Sequence, residues 1–166
     1  MISVNLLLNH IYRKLAHYEY SLSNFYKKIS SRDDEYSSFF NQLSIDEKKH
    51  SKMLFALLGK RKEITPTKYL IEAIGYSNET TKSNIKVSTR NPLFYLIFRG
   101  KSASSYSTKE LLPFIRSGEK VAYTYYSFLL YLVKFLSLIS KDKLYELDIN
   151  ILSTIREEEK EHSRGV

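Results

Sequence analysis

Apolar residues recur at steps of three and four through four long segments of the chain, the spacing of a helix with one buried face. Over residues 2–30 the stripe is Leu8, Tyr12, Leu15, Leu22 and Tyr26. The cluster Ser30-Ser31-Arg32-Asp33-Asp34 breaks it and offers N-caps to a second helix over residues 34–58, whose stripe is Tyr36, Phe40, Leu43, Leu54 and Leu57. Gly59 and the run Lys60-Arg61-Lys62 suit the end of that helix. A third helix is predicted over residues 108–138, with Ile115, Ala122, Tyr126, Leu129, Val133 and Leu136 in its stripe and Pro113 early enough to be tolerated. After a break at Ser140-Lys141-Asp142, a fourth covers residues 143–166 with Leu144, Leu147, Ile151 and Ile155.

Residues 60–107 do not follow this pattern. They read as a crossover holding short helices over about 66–74 and 93–98, separated by the polar stretch 77–90. The chain therefore reads as one all-α domain over residues 1–166, a four-helix bundle with a long connection between its second and third helices. Five glycines and three prolines among 166 residues are too few for the turns of a small all-β protein. No sequence repeat by residue identity is evident.

Each stripe carries a polar interruption where the core should be. Glu19 falls between Leu15 and Leu22, Glu47 and His50 between Leu43 and Leu54, and Glu119 between Ile115 and Ala122, while Glu159 and His162 follow Ile155. A buried carboxylate is costly unless it is paired, hydrogen-bonded or bound to a metal, and four sharing one core would repel each other. Two divalent cations would neutralise them. Glu-x-x-His places a carboxylate and an imidazole one helical turn apart on one face, within reach of one ion. One Glu from each of two helices and Glu-x-x-His from each of the other two is the ligand set of di-iron and di-manganese carboxylate bundles.

Antiparallel neighbours bring residues equidistant from their connecting loop to one level. The midpoint of Glu19 and Glu47 is residue 33, inside the first break, and that of Glu119 and Glu159 is residue 139, beside the second. A lone Glu-x-x-His is weak evidence, because most are solvated. Two of them on apolar stripes, with matching glutamates on the other two helices, are far harder to obtain by accident. Glu157, Glu158 and Glu161 crowd the second motif, and helical register is what selects Glu159.

Composition narrows the chemistry further. With no cysteine, the chain has no disulfide, thiolate zinc site, iron–sulfur cluster or cysteine nucleophile. Lys and Arg number 26 against 18 Asp and Glu, a formal charge of +8, but the basic residues are dispersed. No nucleic-acid partner is expected, since a basic-aromatic ribbon and a helix-turn-helix signature are both missing. Gly-rich phosphate loops and nucleophile elbows are missing too. No signal peptide is evident and no run of 18 apolar residues occurs; the nearest, 128–139, is short and contains Lys134. A cytoplasmic protein is expected. His10 and His17 are expected at the surface or core edge, with His17 facing away from Glu19. The third helix is apolar on more than one face, as either a central helix packed by the crossover or a homodimer interface would be.

Four stretches carry a family resemblance: Glu19 with Tyr26 seven residues on, Asp46-Glu47-Lys48-Lys49-His50, Glu119 with Ala122 and Tyr126, and Glu158-Glu159-Lys160-Glu161-His162. In these the chain resembles the ferritin-like superfamily, and within it the rubrerythrin-type di-iron domains. The resemblance implies two iron ions per chain, with manganese or a mixed pair as the alternative. It makes Glu47 and Glu159 the bridging ligands, and Glu19 with His50 and Glu119 with His162 the terminal ones. Tyr26 and Tyr126 would stand beside the metals and serve catalysis. The implied activity is binding of Fe(II) and its reaction with oxygen or peroxide, of ferroxidase or peroxidase type. The competing reading is a non-catalytic iron-binding or iron-delivery domain of a membrane iron transporter.

Three departures qualify the resemblance. Without the four-cysteine rubredoxin centre, a peroxidase would need an external electron donor. The crossover is long for a rubrerythrin. Its stretch Asn91-Pro92-Leu93-Phe94-Tyr95-Leu96-Ile97-Phe98-Arg99-Gly100 is similar to the ferritin-like domains fused to vacuolar-iron-transporter-type membrane domains. That would place the protein at the inner face of a membrane. Finally, the sequence stops four residues after His162, so a longer parent chain or a partner subunit is expected to complete the core.

Overall fold

The computed structural model of the chain describes residues 4–32, 35–59, 106–140 and 143–165. The described residues are all-α, in four long helices: α1 (Val4–Ser30), α2 (Ser37–Gly59), α3 (Thr108–Ser140) and α4 (Leu144–His162). The short helices expected within the crossover, the basic run after Gly59 and the caps at Asp33 and Asp34 lie outside the described residues. Helix α4 ends at His162 rather than continuing to residue 166. At the start of α3, the Ser107 N–H and hydroxyl both donate to Glu110 Oε2 at 2.8 Å, and the Glu110 N–H reaches Ser107 Oγ at 3.3 Å. This capping box satisfies the donors that the first turn leaves open, and the helix continues through Pro113.

Side-chain pairings fix the helix directions. Ser23 and Ser44 exchange hydroxyl-to-carbonyl bonds of 2.7 and 2.9 Å, Lys27 donates to Asn41 at 3.1 Å, and His17 meets the Phe55 ring edge-on at 5.3 Å. These partners run in opposite senses, so α1 and α2 are antiparallel. Tyr26 with Glu119 and Tyr126 with Glu19 make α1 and α3 antiparallel. Lys49 with Glu158 and Asp46 with His162 do the same for α2 and α4. The bonds Tyr145–Asn5 and Tyr12–Asp148 run α4 alongside α1 in the same sense.

Two apolar layers sandwich one polar layer. The larger apolar layer draws on all four helices, with Tyr12, Leu54, Tyr126, Leu129, Leu152 and Ile155 among its members. The smaller one, with Leu22, Tyr26, Phe40, Leu43 and Ile115, draws on α1, α2 and α3. Each buried large apolar side chain contributes about 1.5–3 kcal/mol, and these two layers hold the glutamates between them.

Helix α4 corrects the expected stripe. Its buried face is Tyr145, Asp148, Leu152, Ile155 and Glu159, while Leu147 and Ile151 pack only at the core edge. Asp148 is the reason: a carboxylate occupies a core position, accepting from the Tyr12 hydroxyl at 2.9 Å, so the apolar residues alone trace a face displaced from the true one.

Candidate metal centre

The polar layer is built by register. Glu19 lies one turn beyond Ala16 on α1, Glu119 one turn beyond Ile115 on α3, and Glu159 one turn beyond Ile155 on α4, each continuing a buried stripe. Glu47 and His50 fill the turn between Leu43 and Leu54 on α2, and both are fully buried. His162 closes α4, with 11% of its side chain exposed. All six residues singled out in the sequence come together.

They form two overlapping quartets. Glu19, Glu47, His50 and Glu159 make one, and Glu47, Glu119, Glu159 and His162 the other. In each, one potential ligand atom per residue lies within 4.8 Å of all the others. Glu47 and Glu159 belong to both. Among the described residues, Glu19 Oε2, Glu47 Oε1, Glu119 Oε2, both Glu159 oxygens and His162 Nδ1 are buried with no hydrogen-bond partner. The His50 Nδ1 atom is 3.1 Å from Glu159 Oε1 but not aligned for a hydrogen bond. An anionic cluster with this many idle oxygens is costly as a structural core and well matched to cations. The carboxylate and imidazole donors suit iron, manganese or zinc.

The imidazoles are held from outside the cluster, and the holding residues are exchanged between the motifs. His50 turns Nδ1 inward, 3.3 Å from Glu47 Oε2, and Nε2 outward, 2.8 Å from Glu158 Oε2. The other Glu158 oxygen accepts from Lys49 Nζ at 2.5 Å. His162 turns Nδ1 inward, 3.7 Å from Glu47 Oε1 and from Glu119 Oε2, and Nε2 toward Asp46 Oδ2 at 3.3 Å. Asp46 in turn accepts from Gln42 at 3.0 Å. So the acidic residue just before the Glu of each Glu-x-x-His motif braces the histidine of the other. Placing the proton on Nε2 leaves each Nδ1 lone pair facing inward. The spacing of the buried stripes gives Asp46 and Glu158 no role. The signal available was an acidic residue immediately ahead of both motifs.

A second exchange links α1 and α3. The Tyr26 hydroxyl donates to Glu119, and the Tyr126 hydroxyl donates to Glu19. Both phenols are fully buried, and burial followed by the adjacent glutamates pushes both well above their usual range, so they stay protonated donors. Tyr18, on the same helix as Glu19, is likewise raised, by burial first and then by all four glutamates. His17 faces Phe55, away from the glutamates, as expected.

Charge crowding governs Glu47 and Glu159, whereas at Glu119 burial is outweighed by polar contacts, that with His162 first, and the carboxyl is lowered. Burial, then Glu159 and Glu19, raises the Glu47 carboxyl well above the ordinary carboxylate range. Burial, then Glu119, does the same to Glu159. Burial alone would lower His50, but its contacts with Glu158, Glu159 and Glu47 outweigh that and raise it. The His50 hydrogen bond draws Glu158 down to about 2. Without cations, the cluster therefore keeps protons on carboxyls that would ionise freely in water.

No protein-family model, curated protein or solved structure matches this chain.

Proposed function

We propose that this protein is a dimetal carboxylate protein with a ferritin-like four-helix bundle, and that it binds two Fe(II) ions and reacts with oxygen or peroxide. One observation carries the reading: two four-residue quartets share Glu47 and Glu159 and leave six buried ligand atoms without partners. The bundle topology is supported by the helix directions, which make α2 and α3 run the same way and so require a connection along the length of the molecule.

In this reading Glu47 and Glu159, common to both quartets, would help hold both ions. Glu19 and His50 complete one quartet, and Glu119 and His162 the other. Two Fe(II) ions would supply one electron each, enough to reduce one peroxide to two waters with two protons. The chain's own residues do the rest. Glu158 and Asp46 hold the imidazole protons outward. Tyr126 and Tyr26 each occupy one oxygen of Glu19 and Glu119 and turn the other oxygen inward. The apolar layers keep water from both sides of the polar layer. His162 lies on the more accessible side, where ions and a small oxidant would enter.

The oxidation step is tested by loading the protein with Fe(II) anaerobically, adding one equivalent of peroxide, and following ferric absorbance by stopped flow. Fast, stoichiometric oxidation that slows in the Tyr26→Phe and Tyr126→Phe variants supports the enzyme. Iron that binds at both quartets and is not oxidised faster than free Fe(II) would leave a carrier in its place.

A further inference from the structure

Helices α2 and α3 begin at the end of the bundle where α4 finishes, and a cleft of about 610 Å³ opens there. That size falls within the roughly 300–1,000 Å³ of small-molecule sites. Its apolar wall is Tyr36 and Phe39 from the start of α2, with Leu112 and Pro113 from α3. All but the proline pack on the smaller apolar layer behind them. Lys109 and Arg116 supply the charge. The spacing Lys109, Leu112, Pro113, Arg116 sets all four on one face of α3, with the cations about 10 Å apart along the helix axis.

Both cations are exposed, and neither makes a hydrogen bond or ion pair among the described residues. By contrast, Lys49 is held by Glu158, and Arg156 and Lys160 by Glu157. No acidic side chain is among the residues lining the cleft. Lys109 also stands in the first turn of α3, where open N–H groups already carry partial positive charge. Glu110, the acidic residue of that turn, is turned back onto Ser107.

We propose that this cleft binds an organic anion, with a flat apolar body on Phe39, Leu112 and Pro113 and a carboxylate or phosphate held by Arg116 and Lys109. A guanidinium pairs such groups through two parallel bonds, and a lysine adds a point charge. A metal cation is repelled here, and a neutral apolar molecule leaves both charges unused. The lining thus selects a ligand with both features. Arg116 lies one turn before Glu119, and Gly165, also in the lining, lies three residues past His162. The anion therefore sits beside the His162 side of the polar layer. Its binding needs no metal, so the inference does not depend on the dimetal reading.

Fluorescence anisotropy with the metal-free full chain tests this. The probes are flavin mononucleotide, a phosphate on a flat ring system, and fluorescein, a carboxylate on one. At least one should bind saturably. Flavin mononucleotide binding at least about tenfold tighter than riboflavin, which lacks the phosphate, assigns a phosphate; saturation by fluorescein alone assigns a carboxylate. Lys109→Gln with Arg116→Gln should weaken the bound probe at least about tenfold, with an unchanged helical circular dichroism spectrum. Lys52→Gln with Lys134→Gln, the same loss of charge away from the cleft, should leave binding unchanged. If the cleft variant fails to fold, Lys109→Gln alone should weaken binding several-fold. No saturation by either probe up to about 1 mM overturns the proposal. So does riboflavin matching flavin mononucleotide where that is the probe bound, or equal weakening by the cleft and control variants.

Discussion

The two quartets of the polar layer use the same residue types and differ in how firmly they hold them. His50 is fully buried in the middle of α2, with Nδ1 at 3.1 and 3.3 Å from two carboxylates and Nε2 at 2.8 Å from Glu158. His162 is the last residue of α4, 11% exposed, with Nδ1 at 3.7 Å from its nearest carboxylates and Nε2 at 3.3 Å from Asp46. Their braces differ likewise: a lysine charge anchors Glu158, and an amide anchors Asp46. A ligand in mid-helix is fixed by helix on both sides. A ligand on the last turn shares the looser backbone of a helix end. In the proposed dimetal site the same motif would therefore give one preorganised half and one half open to exchange.

The strongest way to break this comparison is to remove what the halves share. Glu47→Ala should lower bound Fe(II) from two per chain to near zero, measured by equilibrium dialysis. His162→Ala should remove only the weaker ion. In the metal-free protein, Glu159→Gln should raise stability, by about 1–2 kcal/mol, because it takes a crowded carboxyl out of the core; urea unfolding measures this.

Next in size is the pH dependence of the metal-free protein. Glu47 and Glu159 have folded values raised above 4.5, so their contribution is full below 4.5 and lost as pH rises through the raised values. His50 is raised above 6.5, so its contribution is full below 6.5 and also lost as pH rises. Glu158 has the opposite sign: its contribution is present above 4.5 and lost as pH falls toward about 2. Stability should therefore peak near pH 5 and fall toward pH 8, by several degrees in thermal midpoint at roughly 2–4 °C per kcal/mol. Fe(II) or Mn(II) should reverse the trend, since cations replace the protons. A metal-free midpoint that rises from pH 5 to pH 8 would contradict the crowding.

A smaller effect sharpens the contrast between the halves. Glu158→Gln should weaken the tighter ion about 10–100-fold, the usual cost of losing a carboxylate behind a metal-bound imidazole. Asp46→Asn should weaken the other ion by less, because that contact is longer and wetter. Equal effects in a two-step titration would erase the distinction. Smallest is Tyr126→Phe, which removes one hydrogen bond to Glu19 and should cost about 1 kcal/mol of stability.

Much of the site was legible in the sequence because helices convert spacing into position. Glu19, Glu47, Glu119 and Glu159 each continue an apolar stripe, and two midpoints fell at the helix breaks. What stayed hidden depends on neighbours rather than on spacing. Asp148 sits in a core stripe because Tyr12, on another helix, supplies its hydrogen bond, and it displaced the expected face of α4. Glu158 looked like one of four acidic residues on a wet face until α2 was placed beside it. Spacing puts Tyr26 and Tyr126 near the site, but their exchange of partners follows only from the antiparallel packing of α1 and α3. The second face of α3 was visible as excess apolarity, and only the structure separated its buried residues from its exposed ones.

Anaerobic titration of the metal-free protein with Fe(II), read as ions bound per chain, tests the central claim most directly. The account predicts two ions binding in two steps of unequal affinity, with both steps abolished in Glu47→Ala. A folded wild-type protein that binds no Fe(II), or that binds it equally well without Glu47, would contradict it.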